Sequence, residues 1–162
     1  MGAVSAEGDF SGGNHAPQHP HSTAHPQAAP PATPHVGRES ILVVEDERDV
    51  RTIATAFLRS LGYTTYEAES GERALEALDA HPDVALLFTD VVLGSGMTGY
   101  ELVREARKLR PDLPALLTSG YERAGGEQDD APPPDVDLLR KPYRREQLGE
   151  AIRKAFGERA TP

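Results

Sequence analysis

Cysteine is absent from the chain, which excludes disulfides and thiolate metal sites and fits a reducing, cytosolic compartment. No apolar stretch approaches the roughly 20 residues of a membrane span. The N-terminus lacks a basic region followed by an apolar core, so no signal peptide is expected. Positive charge is also in short supply: 17 Lys and Arg against 26 Asp and Glu give a formal charge of −9. A nucleic acid would be repelled by such a surface, and no basic stripe with interleaved aromatics appears. Direct nucleic-acid binding and membrane contact are therefore not expected. The 162-residue chain is expected to be cytoplasmic and is long enough for one domain with its own core.

Residues 1–38 differ in composition from the rest, being rich in Ala, Pro, His, Gly and Gln. With almost no core-type aliphatics, such a segment cannot offset its ordering entropy and is expected to be a disordered tail. Five of the six histidines fall here: His15, His19, His21, His25 and His35. Imidazoles suit transition metals. With no fold to fix their geometry, solvation or tethering is the expected role.

From Glu39 onward, strand and helix patterns alternate. An apolar, β-branched run covers 40–45. Residues 47–61 place Val50, Ile53, Phe57 and Leu61 on one helical face, with Gly62 as the stop. A second strand is expected over 63–67 and a short helix over 71–80, with Ala74, Leu75 and Leu78 inward. His81-Pro82 ends that helix, because the residue before proline avoids the helical region. Residues 84–89 form a continuous apolar run, as in a strand buried on both faces.

Thr98-Gly99-Tyr100-Glu101 has capping-box spacing, and Leu102, Val103, Ala106 and Leu109 mark the inner face of the next helix. Strands are expected over 115–118 and about 136–140. A last helix over about 144–157 carries Leu148, Ile152, Ala155 and Phe156 on one side. Between the last two strands, residues 122–134 (ERAGGEQDDAPPP) hold two glycines and three prolines. The helix due there is expected to be short, mobile or absent.

This pattern predicts an α/β doubly wound, five-stranded parallel sheet of order 2-1-3-4-5. All strand C-termini of such a sheet lie on one edge, and the switch point falls between strands one and three. Four of the apolar runs end on Glu45-Asp46, Asp90, Thr118 and Lys141. Singly, each has an ordinary reading. An acidic pair after a strand caps the next helix, a buried threonine satisfies its own hydroxyl, and a lysine faces solvent. On one edge they form an acid pocket with a hydroxyl and an ammonium beside it.

Three close carboxylates raise one another's pKa, a conflict that a divalent cation removes. Mg²⁺ prefers oxygen ligands and retains waters, so two or three carboxylates suffice. Lys141, followed by Pro142, can hold one phosphoryl oxygen and the Thr118 hydroxyl another. The set is suited to accepting a phosphoryl group on a carboxylate.

With VVEDE (43–47), TD (89–90), LLTSGY (116–121) and RKPY (140–143) in this order, the chain resembles the receiver domains of two-component response regulators. The separations of 44 residues from Asp46 to Asp90 and 51 from Asp90 to Lys141 match that family's pattern. The resemblance implies a flavodoxin-like receiver over 39–160, of stand-alone or hybrid-kinase type. It implies Asp90 as phosphoacceptor from a histidine kinase or histidine phosphotransfer protein. Asp46 and Asp90 would bind Mg²⁺ directly, with Glu45 acting through water and the Val92 backbone carbonyl as a further ligand. Lys141 and Thr118 would grip the phosphoryl oxygens. Positioning and charge neutralisation supply most of the rate in such a loose transition state.

Four departures from the family pattern stand out. Leu93-Gly94-Ser95-Gly96-Met97 replaces the usual Met-Pro turn and adds one residue before Gly99. The position three before the lysine, often a rotating aromatic, is Leu138, whereas Tyr121 follows Thr118 by three. Tyr121 either carries the switch or packs over the adjacent loop. The 119–135 region, with its degraded helix, is suited to order–disorder switching as an output. Lastly, Val92 and Gly120 stand where the family influences water attack on the acyl phosphate, and neither side chain can position a water.

A stand-alone receiver is the leading expectation, because only about five residues follow 157, too few for an output domain. Its signal would pass by protein contact, or it would act as a phosphate sink or shuttle. An Mg²⁺-dependent phosphohydrolase that uses an aspartyl phosphate is the enzyme-class alternative, but Val92 stands where an acid is expected. A receiver fold used only for binding, without phosphorylation, is the third. The side chains at 92 and 120 predict slow to moderate self-dephosphorylation. A phosphoryl lifetime of only seconds, followed by loss of radiolabel from the purified protein, would contradict this.

Overall fold

The computed structural model describes residues 39–94, 96–120 and 132–157. The tail over 1–38, Tyr121 and residues 122–131 lie outside the described residues. The elements run β1 (Ser40–Val44), α1 (Arg48–Ser60), β2 (Thr64–Ala68), α2 (Gly71–Ala80) and β3 (Val84–Asp90). They continue with α3 (Gly99–Leu109), β4 (Ala115–Ser119), β5 (Asp137–Arg140) and α4 (Arg145–Gly157). The strands pair in parallel in the order β2-β1-β3-β4-β5, as the alternating pattern predicts. No helix among the described residues is long and apolar enough to cross a membrane.

Alternate strand residues feed two cores, because successive side chains in a strand point to opposite faces. Ile41, Val43, Leu86, Phe88 and Leu116 pack with Ala54 and Leu58 of α1 and Leu148 and Ile152 of α4. Leu42, Val44, Leu87 and Leu117 pack on the other face with Ala74 and Leu78 of α2 and Leu102, Val103 and Ala106 of α3. The continuous apolar strands follow from this double burial. The residues that end β1, β3 and β4 are thereby fixed by packing on both sides.

Local signals account for the helix starts. Thr98 and Glu101 form the capping box in full: Glu101 N donates to Thr98 Oγ1 at 3.2 Å, and Thr98 N to Glu101 Oε2 at 3.0 Å. Ser70 caps α2 through Arg73 N. Residues 132–136 carry no helix, and Val136 N donates to the Pro133 carbonyl at 3.0 Å in a turn. Three prolines supply no backbone donors there, and most of the expected break over 122–134 lies outside the described residues.

Two expected inward residues face out. Ile53 is 55% exposed and Leu109 61%. In α1 the buried residues are Ala54, Thr55 and Leu58, so the inner stripe is turned by about one residue, roughly 100°. The small Ala54 brings the helix close to the sheet, and Ile53 then projects sideways. Apolar spacing alone cannot separate two overlapping stripes.

Helix α3 continues past Ala106 to Leu109 and is capped at Arg110. The Arg110 guanidinium donates to the carbonyls of Leu78, His81 and Val84. It thereby ties the base of α2 and β3 to α3.

The two sites should respond differently to truncation. Leu116→Ala, at a fully buried position, is expected to lower unfolding free energy by about 2–5 kcal/mol. Ile53→Ala should change it by less than about 1 kcal/mol. Urea denaturation of both variants checks the orientation of α1; equal losses would contradict it.

Candidate functional site: an acid pocket at the sheet edge

The C-terminal ends of four strands bring the predicted residues together. Glu45 and Asp46 follow β1, and Asp90 closes β3 beside it. One carboxylate oxygen from each of Glu45, Asp46 and Asp90 lies within 4.8 Å of the others. Glu45 and Asp90 are buried and Asp46 is exposed. Thr118, 2% exposed, is the direct cross-strand partner of Asp90. Lys141 follows β5, and its Nζ donates to Glu45 Oε2 and to Asp90 Oδ2, both at 2.8 Å.

All four oxygens of the two buried carboxylates are tied to Lys141 or to backbone. Asp90 Oδ1 accepts from Val92 N at 3.3 Å, and Glu45 Oε1 from Glu47 N at 3.2 Å. The acidic pair does not cap α1: its N-cap is Glu47, which makes no side-chain capping bond. The ordinary reading of that pair therefore does not hold, and the carboxylates are left for the pocket.

One ammonium cannot neutralise three carboxylates. Burial pushes the Glu45 carboxyl up to about 7, against the Lys141 hydrogen bond that lowers it and with the Asp90 charge that raises it further. Lys141 is shifted upward by its bonds to Asp90 and Glu45, which outweigh the opposing effect of burial. With all three acids ionised, three negative charges and one positive leave −2 at the pocket. A divalent cation cancels that charge, and an all-oxygen donor set is what Mg²⁺ prefers. The donors present therefore fit this ion.

The loop from β3 to α3 is held at both ends. Gly94 adopts φ +68°, and a Cβ there would stand 3.1 Å from Asp46 Oδ2. Gly99 lies against the Asp90 backbone carbonyl, where a Cβ would collide, and its N donates to the Val91 carbonyl at 2.8 Å. The backbone at Val92 is therefore fixed beside Asp90 despite the extra residue, although the Val92 side chain is 42% exposed. Leu138 on β5 is likewise 42% exposed. Tyr121, the expected switch, lies outside the described residues.

Two contributors were not singled out by sequence. Tyr143 packs edge-on against Phe88 and Phe57, with ring centroids 6.2 and 6.4 Å away, and burial pushes its phenol up to about 12. Its place in the RKPY run was the available signal. Arg51 of α1 reaches back to the Glu45 carbonyl at 2.8 Å. No apolar period marks such a contact.

Known proteins resemble this chain in sequence and fold. A family model for the response regulator receiver domain matches residues 41–153. The response regulator receiver protein CpdR of Brucella abortus is 33% identical over 114 residues, covering 70% of this chain and 93% of that protein. The sensor kinase CckA of the same organism is 35% identical over 124 residues, 76% of this chain but only 13% of CckA.

Among solved structures, the receiver domain of the hybrid histidine kinase CckA superposes with a TM-score of 0.59 at 33% identity, over 72% of this chain and 97% of that one. A receiver protein from Sinorhizobium medicae gives 0.63 at 24% identity, over 74% and 94%, and speaks for the fold alone. Family match, sheet order and relatives agree: this chain belongs to the response regulator receiver domain family, the phosphorelay receivers of two-component signalling.

Proposed function

We propose that the chain is a cytoplasmic phosphoacceptor that takes a phosphoryl group from a phosphohistidine onto Asp90. The donor would be a histidine kinase or a histidine phosphotransfer protein, and the output a contact with another protein. Residues 39–160 form the receiver in this reading, and residues 1–38 take no part in the chemistry. The observation that carries the reading is the convergence of Asp90, Thr118, Lys141 and the acidic pair on one sheet edge.

Asp46 and Asp90 would hold Mg²⁺ directly, with Glu45 acting through water and the Val92 carbonyl as a further ligand; the ion supplies neutralising charge for phosphoryl oxygens. An Asp90 carboxylate oxygen forms the bond to phosphorus. The phosphorus–nitrogen bond breaks, and its electron pair returns to the imidazole. Lys141, already on Asp90 Oδ2, moves its charge onto a phosphoryl oxygen. The Thr118 hydroxyl, on the adjacent strand, donates to another. Little covalent work is asked of the protein beyond the nucleophile, so fixed positions and charge carry the step.

Two outcomes are expected. Incubation with radiolabelled histidine kinases should give a hydroxylamine-sensitive label on the wild-type chain and none on Asp90→Asn. Label retained by Asp90→Asn would remove Asp90 as acceptor.

The second outcome concerns pH. A cation needs ionised ligands, so binding expels the Glu45 proton below its raised value of about 7. Mg²⁺ affinity should therefore rise between about pH 6 and 8 and level off above, measured by calorimetry. Glu45→Gln should flatten the rise. In the metal-free protein the sign is reversed for stability. The folded chain binds that proton more tightly than the unfolded one, so Glu45's contribution falls as pH climbs from 4.5 to about 7.

A further inference from the structure

We infer that Arg51 is a positioning residue for the metal-binding carboxylates, a role that rests on the function proposed for Glu45 and Asp46. Arg51 stands near the N-terminus of α1, and its side chain is only 16% exposed. A buried cation at that end of a helix opposes the helix dipole. Two contacts offset this. Nη1 donates to the Glu45 carbonyl oxygen at 2.8 Å, and Nε lies 3.4 Å from Glu67 Oε1 on β2. Arg51 thus joins α1, the end of β1 and the edge strand.

The Glu45 carbonyl is the part of the pocket that other contacts leave unheld. Glu45 N donates to Ala68 O at 3.1 Å, Oε1 accepts from Glu47 N at 3.2 Å, and Oε2 accepts from Lys141 at 2.8 Å. Arg51 takes the remaining oxygen with a charge-assisted bond, stronger than a neutral one. The peptide unit is planar, so fixing that oxygen fixes the plane that carries Asp46 N and Cα.

Asp46 is the exposed member of the set, with Gly94 close against its Oδ2. Packing does not enclose it as it encloses Glu45, so its aim depends on the peptide beneath it. Glu67 balances the guanidinium, with Arg59 Nη2 3.9 Å from its other oxygen. Glu67 thus offsets part of the positive charge that Arg51 places near the acidic pair.

Calorimetric titration of the full chain with Mg²⁺, well below the unfolding temperature, tests this. Partners that orient metal ligands are typically worth 10–100-fold in affinity, so Arg51→Gln should weaken Mg²⁺ binding by about tenfold or more. Arg51→Lys, which keeps a charged donor, should recover part of the loss. In metal-free protein the Asp46 amide resonance should shift in Arg51→Gln and return toward wild type in Arg51→Lys.

Unchanged or tighter Mg²⁺ binding in Arg51→Gln overturns the role. If Arg51→Gln does not fold, Glu67→Gln carries the test: a smaller loss of affinity supports the role, and none overturns it. Failure of the wild-type chain to bind Mg²⁺ instead overturns the parent reading, and this role falls with it.

Discussion

The site depends on one ammonium shared between two carboxylates. Lys141 comes from the end of β5, crosses the breadth of β4, and meets Glu45 from β1 and Asp90 from β3. Without it two buried acids would face each other with no counter-charge, at a cost that grows as water is excluded. With it the pocket is held together but not neutral. Burial first, and the neighbouring Asp90 charge after it, raise the Glu45 carboxyl to about 7. Structure and chemistry meet in this incomplete cancellation, since a site already neutral would have little call for a divalent ion.

The double burial of the sheet explains why such a pocket holds its shape. Leu42, Leu87 and Leu117 are clamped on one face, and Val43, Phe88 and Leu116 on the other. A residue that closes one of these strands has little freedom in its backbone. Charged groups on a flexible loop would separate under mutual repulsion, whereas here they are carried by a packed core.

Much of this could be read from residue types alone, and the limits have physical causes. Strand ends are legible because a charge after an uninterrupted apolar run must emerge at an edge, as Asp90 does after residues 84–89. The capping box at Thr98 is local and was equally legible. Helix rotation was not: Ile53 outweighs Ala54 in hydrophobicity, yet Ala54 is the residue that permits close approach. The bonds from Lys141 to Glu45 and from Arg51 to the Glu45 carbonyl were hidden for another reason. They join positions 96 and six residues apart with no periodic pattern between them. The place of Tyr121 cannot be compared, because it falls outside the described residues.

The meeting of Gly99 with the end of β3 has a mechanical meaning. The first residue of α3 rests on the Val91 carbonyl and touches that of Asp90, with no side chain to act as a cushion. Strand and helix are therefore hinged bone on bone. Any shift of the Asp90 backbone, even by a fraction of an ångström, is at once a shift of α3's foot. The extra residue of the intervening loop changes the span of the bridge but leaves both piers where they stand.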